Sequence, residues 1–264
     1  MTPKNKRSTP DKRSTPDKRS TPDKRSAPDK RRAPSNPADT LARGDIKIEM
    51  RMPYSSNATF LVKVTADGES LRAIYKPLRG ERPLWDFAPG LHRREVAAYR
   101  LAVAMGLDFV PITLLREGPL GEGSVQLLVD ADFEQHYFTL FESREDLHDR
   151  LREIAVFDIL ANNTDRKSGH VLIDNAGHIW GIDHGLCFAA DFKLRTVIWE
   201  FGGEEIPRHI MSTVERVSTA LPLEVASLLD DDEVTAFAQR AAWLCEHRQF
   251  PHDPSGQRYP WPLV

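Results

Sequence analysis

The stretch Phe157–Phe188, FDILANNTDRKSGHVLIDNAGHIWGIDHGLCF, decides the fold. It reads as the end of a helix, a polar loop, a short strand, a turn at Asn175–Gly177, a second short strand and another polar loop. Each loop carries one aspartate, Asp165 in the first and Asp183 in the second. Upstream, REDLHDRLREIAVFDILA (144–161) places Leu147, Leu151, Ile154, Ala155, Asp158 and Ala161 on one helical stripe, with Phe157 beside it.

N-terminal to this helix the pattern has the period of strands. DIKIEMRM (45–52) alternates, with Ile46, Ile48, Met50 and Met52 expected on one face. TFLVKVT (59–65) and LRAIYKP (71–77) follow, joined through Asp67-Gly68, a favoured hairpin turn. On the third strand Arg72, Ile74 and Lys76 share a face opposite Leu71, Ala73 and Tyr75. GERPLWDFAPG (80–90) is a loop that Trp85 and Phe87 are expected to pin to the body. RREVAAYRLAVAMG (93–106) is a helix ending at Gly106, and VPITLLREG (110–118) and SVQLLVD (124–130) are two further strands. C-terminal to the hairpin, residues 203–217 read ambiguously. LPLEVASLL (221–229) is a short helix, and DDDEVTAFAQRAAWLCEH (230–247) is a long one with an acidic first turn. The expectation is an α+β fold of two lobes. The β-rich first lobe (44–130) has one helix, the mainly helical second lobe spans 131–250, and an irregular tail (251–264) follows.

Residues 1–43 read differently. KRSTPD repeats at 6, 12 and 18, then KRSAPD at 24 and KRRAPS at 30. Proline every sixth residue forbids a continuous helix, and there is almost nothing apolar to bury, so a disordered basic tail is expected. Residues 1–36 carry a net +8 and the remainder −11, within a chain of net −3. The tail is a solvated linker or an arm for an anionic partner such as nucleic acid or anionic lipid, its charge diluted by four aspartates. The acidic body is no general nucleic-acid surface. Two cysteines without metal spacing, no secretory h-region and no apolar run of about 20 residues lead to the expectation of a reduced, cytoplasmic setting without a membrane span.

A cleft between two such lobes would gather Lys76 from the third strand, Glu95 from the helix behind it, and Asp165 and Asp183 from the second lobe. That combination suits phosphoryl transfer. A lysine neutralises phosphate charge, a carboxylate-held cation bridges phosphate oxygens, and an aspartate orients the accepting hydroxyl.

NTDRKSGHVLID followed by GIDHGLCF resembles the catalytic and metal-binding loops of the phosphatidylinositol 3-/4-kinase superfamily, type II phosphatidylinositol 4-kinases above all. AIYKP (73–77) is similar to that family's phosphate-binding lysine strand, and residues 44–200, with GERPLWDF and GPLGEGSVQ, resemble an actinobacterial group of the superfamily. The resemblance implies an ATP- and Mg²⁺-dependent kinase with a lipid, protein or small-molecule acceptor. Lys76 would contact the α- and β-phosphates, Asp165 would be the catalytic aspartate, and Asp183 would ligate the metal, with Glu95 as the partner of Lys76. Two departures stand out. His170 occupies the position of the family's asparagine, so a weakened second metal position, Mn²⁺ use or lost catalysis follows as a set of alternatives. PYSSNA (53–58) stands where a glycine-rich loop is expected, leaving Ser55, Ser56 and Asn57 as phosphate donors. The competing expectation is a nucleotide-binding domain that is catalytically weak or silent.

Overall fold

A computed structural model describes residues 36–53 and 55–264; the hexapeptide repeats lie outside the described residues. Five antiparallel strands form the first lobe: β1 (Asp45–Arg51), β2 (Phe60–Ala66), β3 (Glu69–Pro77), β4 (Thr113–Gly118) and β5 (Gly121–Leu127), in the order β1-β2-β3-β5-β4. β2 and β3 are joined by Asp67 and Gly68, both at positive φ (54° and 86°), the backbone a two-residue hairpin requires. One face of this sheet buries Val62, Val64, Ala73, Tyr75 and Val125. That face is covered by a helix the sequence reading left in the tail. α1 (Pro37–Arg43) is capped by the Asn36 side chain and inserts Leu41, fully buried, into the cluster. Residues 37–43 of the expected tail are thus helical and packed on the sheet.

Strict alternation along β1 also fails. Its register with β2 shifts between Ile48 and Met50, so Ile48 pairs with Val62 on the core face while Met50 pairs with Leu61 on the other. A bulge of this kind flips everything after it to the opposite face. Met50 and Met52 thus leave the face of Ile46 and Ile48, and Met52 lines the interlobe cleft.

α2 (Leu91–Met105) lies between glycines in the left-handed region, Gly90 (φ 111°) and Gly106 (φ 77°). Its Ala97, Ala98, Leu101 and Met105 belong to the same buried cluster as the second lobe, so this helix joins the two lobes. The second lobe is built on α4 (His148–Ala161), which follows a short α3 (Tyr137–Ser143) not legible in the sequence. A surface helix buries only a stripe; here every residue from Ile154 to Ala161 is buried, so the C-terminal half of α4 is enclosed on all sides. α5 (Arg208–Ser218) resolves the ambiguous 203–217 region, and α6 (Leu223–Ala226) and α7 (Asp231–His247) complete the helical layer. Asp230 and Glu233 form a reciprocal cap at the start of α7, worth about 1 kcal/mol. A small sheet, β6 (Ala131–Asp132), β7 (Val171–Asp174) and β8 (Ile179–Gly181), carries the two aspartate loops at its ends.

Phe87 is buried, but Trp85 is 94% exposed, so it does not pin the loop as expected; its ring extends from the 80–90 loop into solvent. The segment after α7 packs back on the second lobe. Ser168 N–H donates to the Leu263 carbonyl at 2.7 Å and Thr196 N–H to the Arg258 carbonyl at 3.1 Å. Among the described residues, no helix is long and apolar enough to cross a membrane.

Candidate active site

A cleft of about 590 Å³ runs between the lobes. Ser55, Ser56, Asn57, Lys76, Glu95, Asp165 and Asp183 all border it, although they come from five separated segments. Alternation on β3 sends Lys76 to the cleft face, and its amine bonds Glu95 of α2 and, at 2.9 Å, Asp183 Oδ1. Glu95 is almost completely buried, and its second oxygen accepts the His184 N–H at 3.1 Å. One carboxylate thereby ties α2 to both the lysine strand and the second aspartate loop. Burial alone would strip the proton from Lys76; the adjacent Asp183 and Glu95 carboxylates reverse this and raise its pKa above the ordinary value. The Lys76 ammonium in turn holds the Asp183 carboxyl well below the usual carboxylate range. Asp183 sits at φ 60°, a left-handed backbone that aspartate tolerates better than most side chains.

Asp165 faces this group from the end of α4. Its backbone N–H is held by Asn163 Oδ1 at 3.0 Å, and Lys167 Nζ lies 3.3 Å from its carboxylate. Burial raises its pKa to about 6, with Lys167 opposing and Asp183 adding to the rise. Beneath the loop is a fully buried frame that composition could not reveal. Arg166 forms a bidentate pair with Asp158 (2.9 Å on each arm), and its remaining nitrogen donates to the Ile182 carbonyl at 2.9 Å. Arg166 therefore locks the first aspartate loop to the residue preceding Asp183. It also donates to His184 Nε2 at 2.8 Å, which leaves His184 Nδ1 buried without a partner among the described residues.

His170 lies behind the two aspartates. Its Nδ1 is 2.9 Å from the Asp165 carbonyl, which can only accept, so the proton sits on Nδ1; the Lys167 N–H at 3.4 Å is the weaker neighbour. The Nε2 lone pair then faces Asp183 Oδ2 at 3.6 Å. Burial pushes His170 down to about 4, so at neutral pH no proton joins the two groups. Two lone-pair donors facing each other fit a shared cation. No cluster of three or more His, Cys, Asp or Glu donors forms among the described residues, so the protein would supply two ligands, with phosphate oxygens and water for the rest, a pattern familiar for Mg²⁺.

The Ser55–Asn57 loop is tied inward. The Ser55 hydroxyl donates to the Asn57 carbonyl at 2.8 Å, and Asn57 Oδ1 accepts the Arg82 N–H at 2.9 Å. A Cβ at Gly80 would lie 2.7 Å from Ala58 Cβ, so the glycine permits the close crossing of the two loops. Of the expected phosphate donors, Ser55 and Asn57 thus already have internal partners.

Sequence reasoning missed the other half of the cleft. Met52, Ile74, Leu128, Phe133, Leu172 and Ile182 give the cleft an apolar lining. Ile74 was recoverable, since it stands two residues before Lys76 on the same strand face; Leu172 and Phe133 come from elements that only folding brings opposite it. Lys167, two residues beyond Asp165, was also missed.

Residues 114–243 match the family model described as Phosphatidylinositol 3- and 4-kinase. The chain is 38% identical over 260 residues to Protein Rv2133c of Mycobacterium tuberculosis, covering 84% of this chain and 93% of that protein. A solved structure, the Helicobacter pylori proinflammatory kinase CtkA, aligns with 80% of this chain and 94% of its own at 9% identity and a TM-score of 0.48. With matching sequence running from β4 into α7 and two lobes closed around one cleft, the chain belongs to the phosphatidylinositol 3-/4-kinase-like superfamily and has its two-lobed, protein-kinase-like fold.

Proposed function

We propose that this chain is an ATP- and divalent-metal-dependent phosphotransferase. The observation that carries the reading is one cluster: Lys76 held between Glu95 and Asp183, with Asp165 on the opposite wall of the same cleft. Lys76 would neutralise phosphate oxygens, and its fixed position costs no reorganisation when charge develops. Asp165, with a pKa of about 6, is mostly ionised at pH 7 yet basic enough to accept a proton from an acceptor hydroxyl. Lys167 beside it would offset charge on the transferring group. Asp183 and His170 would hold the metal, which when bound screens the phosphate charge. The imidazole donor favours Mn²⁺ over Mg²⁺ relative to an asparagine oxygen. The apolar lining would take the base, and the cleft volume is in the range of small-molecule sites. The acceptor is a lipid, protein or small-molecule hydroxyl.

A second reading, a domain that holds nucleotide without turning it over, is favoured by His170 and by the inward-tied Ser55–Asn57 loop. The discriminating experiment measures ATP binding and turnover with Mg²⁺ and Mn²⁺ for the wild type, Lys76→Ala, Asp165→Asn, Asp183→Ala and His170→Asn. Metal-dependent turnover abolished by Asp165→Asn supports the phosphotransferase. Binding without turnover, indifferent to Asp165→Asn, supports the silent domain.

A further inference from the structure

Gln126 lies on β5 directly opposite Ile74 of β3 and Thr113 of β4, on the cleft face. It is 6% exposed, and among the described residues its amide has one partner: Nε2 donates to Thr113 Oγ1 at 2.9 Å. Thr113 is fully buried, and its hydroxyl spends its only proton on the Pro111 carbonyl at 2.8 Å. Toward Gln126 the hydroxyl can therefore only accept. This forbids the flipped amide, because a flip would set a carbonyl oxygen against an oxygen lone pair. Gln126 Oε1 must then face the cleft, where it has no partner among the described residues and is not sealed from solvent. A nearly buried side chain thus offers one oriented acceptor, unpaired among the described residues, on the cleft wall.

The surroundings suit a planar heterocycle. Ile74, Leu128 and Leu172 border the space, and Val129, three residues along from Gln126, has no backbone hydrogen-bond partner among the described residues. Lys76 is two residues from Ile74 on the same strand face, roughly 7 Å along β3, a separation that a nucleotide bridges from base to phosphates. Resting on the phosphotransferase reading, we propose that Gln126 is the base-reading residue. It selects a purine bearing a 6-amino group, whose N–H it accepts, and Thr113 sets this preference by fixing the amide. A 6-oxo purine would place oxygen against oxygen and be rejected.

The test is competitive displacement of a fluorescent ATP analogue from the full-length protein with Mn²⁺. The competitors are ATP, purine riboside triphosphate (no 6-amino group) and inosine triphosphate (6-oxo). The wild type should bind ATP roughly tenfold tighter than purine riboside triphosphate, as expected for one well-made hydrogen bond. Gln126→Met should bring that ratio close to one. Thr113→Val frees the amide to turn, so the preference for ATP over inosine triphosphate should fall several-fold while total affinity persists; this variant carries the test if Gln126→Met does not fold. An unchanged ATP to purine riboside triphosphate ratio in Gln126→Met, or equal wild-type affinities, overturns the role of Gln126 and leaves the phosphotransferase reading intact. Absence of nucleotide binding by the wild type overturns both.

Discussion

Replacing Arg166 by methionine would remove the cation from a pair with no solvent exposure on either side. Asp158 would keep the Asn163 amide at 2.9 Å but lose both guanidinium bonds, leaving a carboxylate buried without a counter-charge. Breaking one partner of such a pair costs about 3–5 kcal/mol, a large part of a typical domain's 5–15 kcal/mol. With a urea m-value of about 2–3 kcal/mol/M, the midpoint should fall by roughly 1–2.5 M. Changing both partners, Asp158→Leu with Arg166→Met, removes the orphaned charge and should recover most of that loss. The double variant would still lack the bond to the Ile182 carbonyl, which ties the Asp165 loop to Asp183. Stability should therefore return while metal-dependent turnover does not. Urea denaturation followed by circular dichroism, beside a turnover assay, measures both quantities. A double variant as unstable as Arg166→Met, or a single-variant loss under about 1 kcal/mol, would refute the view that the pair is a charge-compensated frame.

Other expectations concern single residues. Burial raises Asp165 to about 6, above its unfolded value, so the wild type is penalised for ionising it: this site's contribution is fully present below about pH 4 and lost as pH rises through 6. Asp165→Asn should consequently be more stable than wild type at pH 7, by up to about 3 kcal/mol, the opposing effect of Lys167 being already contained in the shift, with the difference vanishing near pH 4 in parallel denaturation curves. By the same pKa, the turnover rate should climb with pH around 6 instead of 4. Glu95→Gln keeps the shape but removes one of the two carboxylates on Lys76; turnover should drop roughly tenfold or more, and kcat should suffer along with KM because the lysine loses its position. Gly80→Val forces a side chain into the Ala58 crossing and should cost about 1–3 kcal/mol and weaken nucleotide binding, read by thermal melts with and without ATP.

The strands, the long helices and the two aspartate loops were legible because they rest on local periodicity and turn chemistry. Asp67-Gly68 names its own hairpin, and the acidic run from Asp230 marks the start of the long helix. What escaped depended on contacts that no window of sequence contains. The bulge in β1 has no signature in DIKIEMRM; it exists because the strand pairs with β2 while its end enters the cleft. α1 looked like tail because its seven residues gain little until Leu41 finds the β-sheet. Trp85 looked like an anchor because aromatic residues bury more often than not, yet its loop is held by Glu81, which accepts from the Gly90 and His92 backbone.

For the stretch Phe157–Phe188, sequence alone determined the order of helix, loop, hairpin and loop, and the place of Asp165 and Asp183 within them. Those follow from side-chain period and polar punctuation, which are properties of neighbours along the chain. Only tertiary structure decided the chemistry around them. Lys76 Nζ is 2.9 Å from a carboxylate 107 positions away, Arg166 is sealed under the loop, and His170 turns Nε2 rather than Nδ1 toward Asp183. Charge state, tautomer and burial depend on distances between segments, and those distances exist only once the two lobes have closed on a common core.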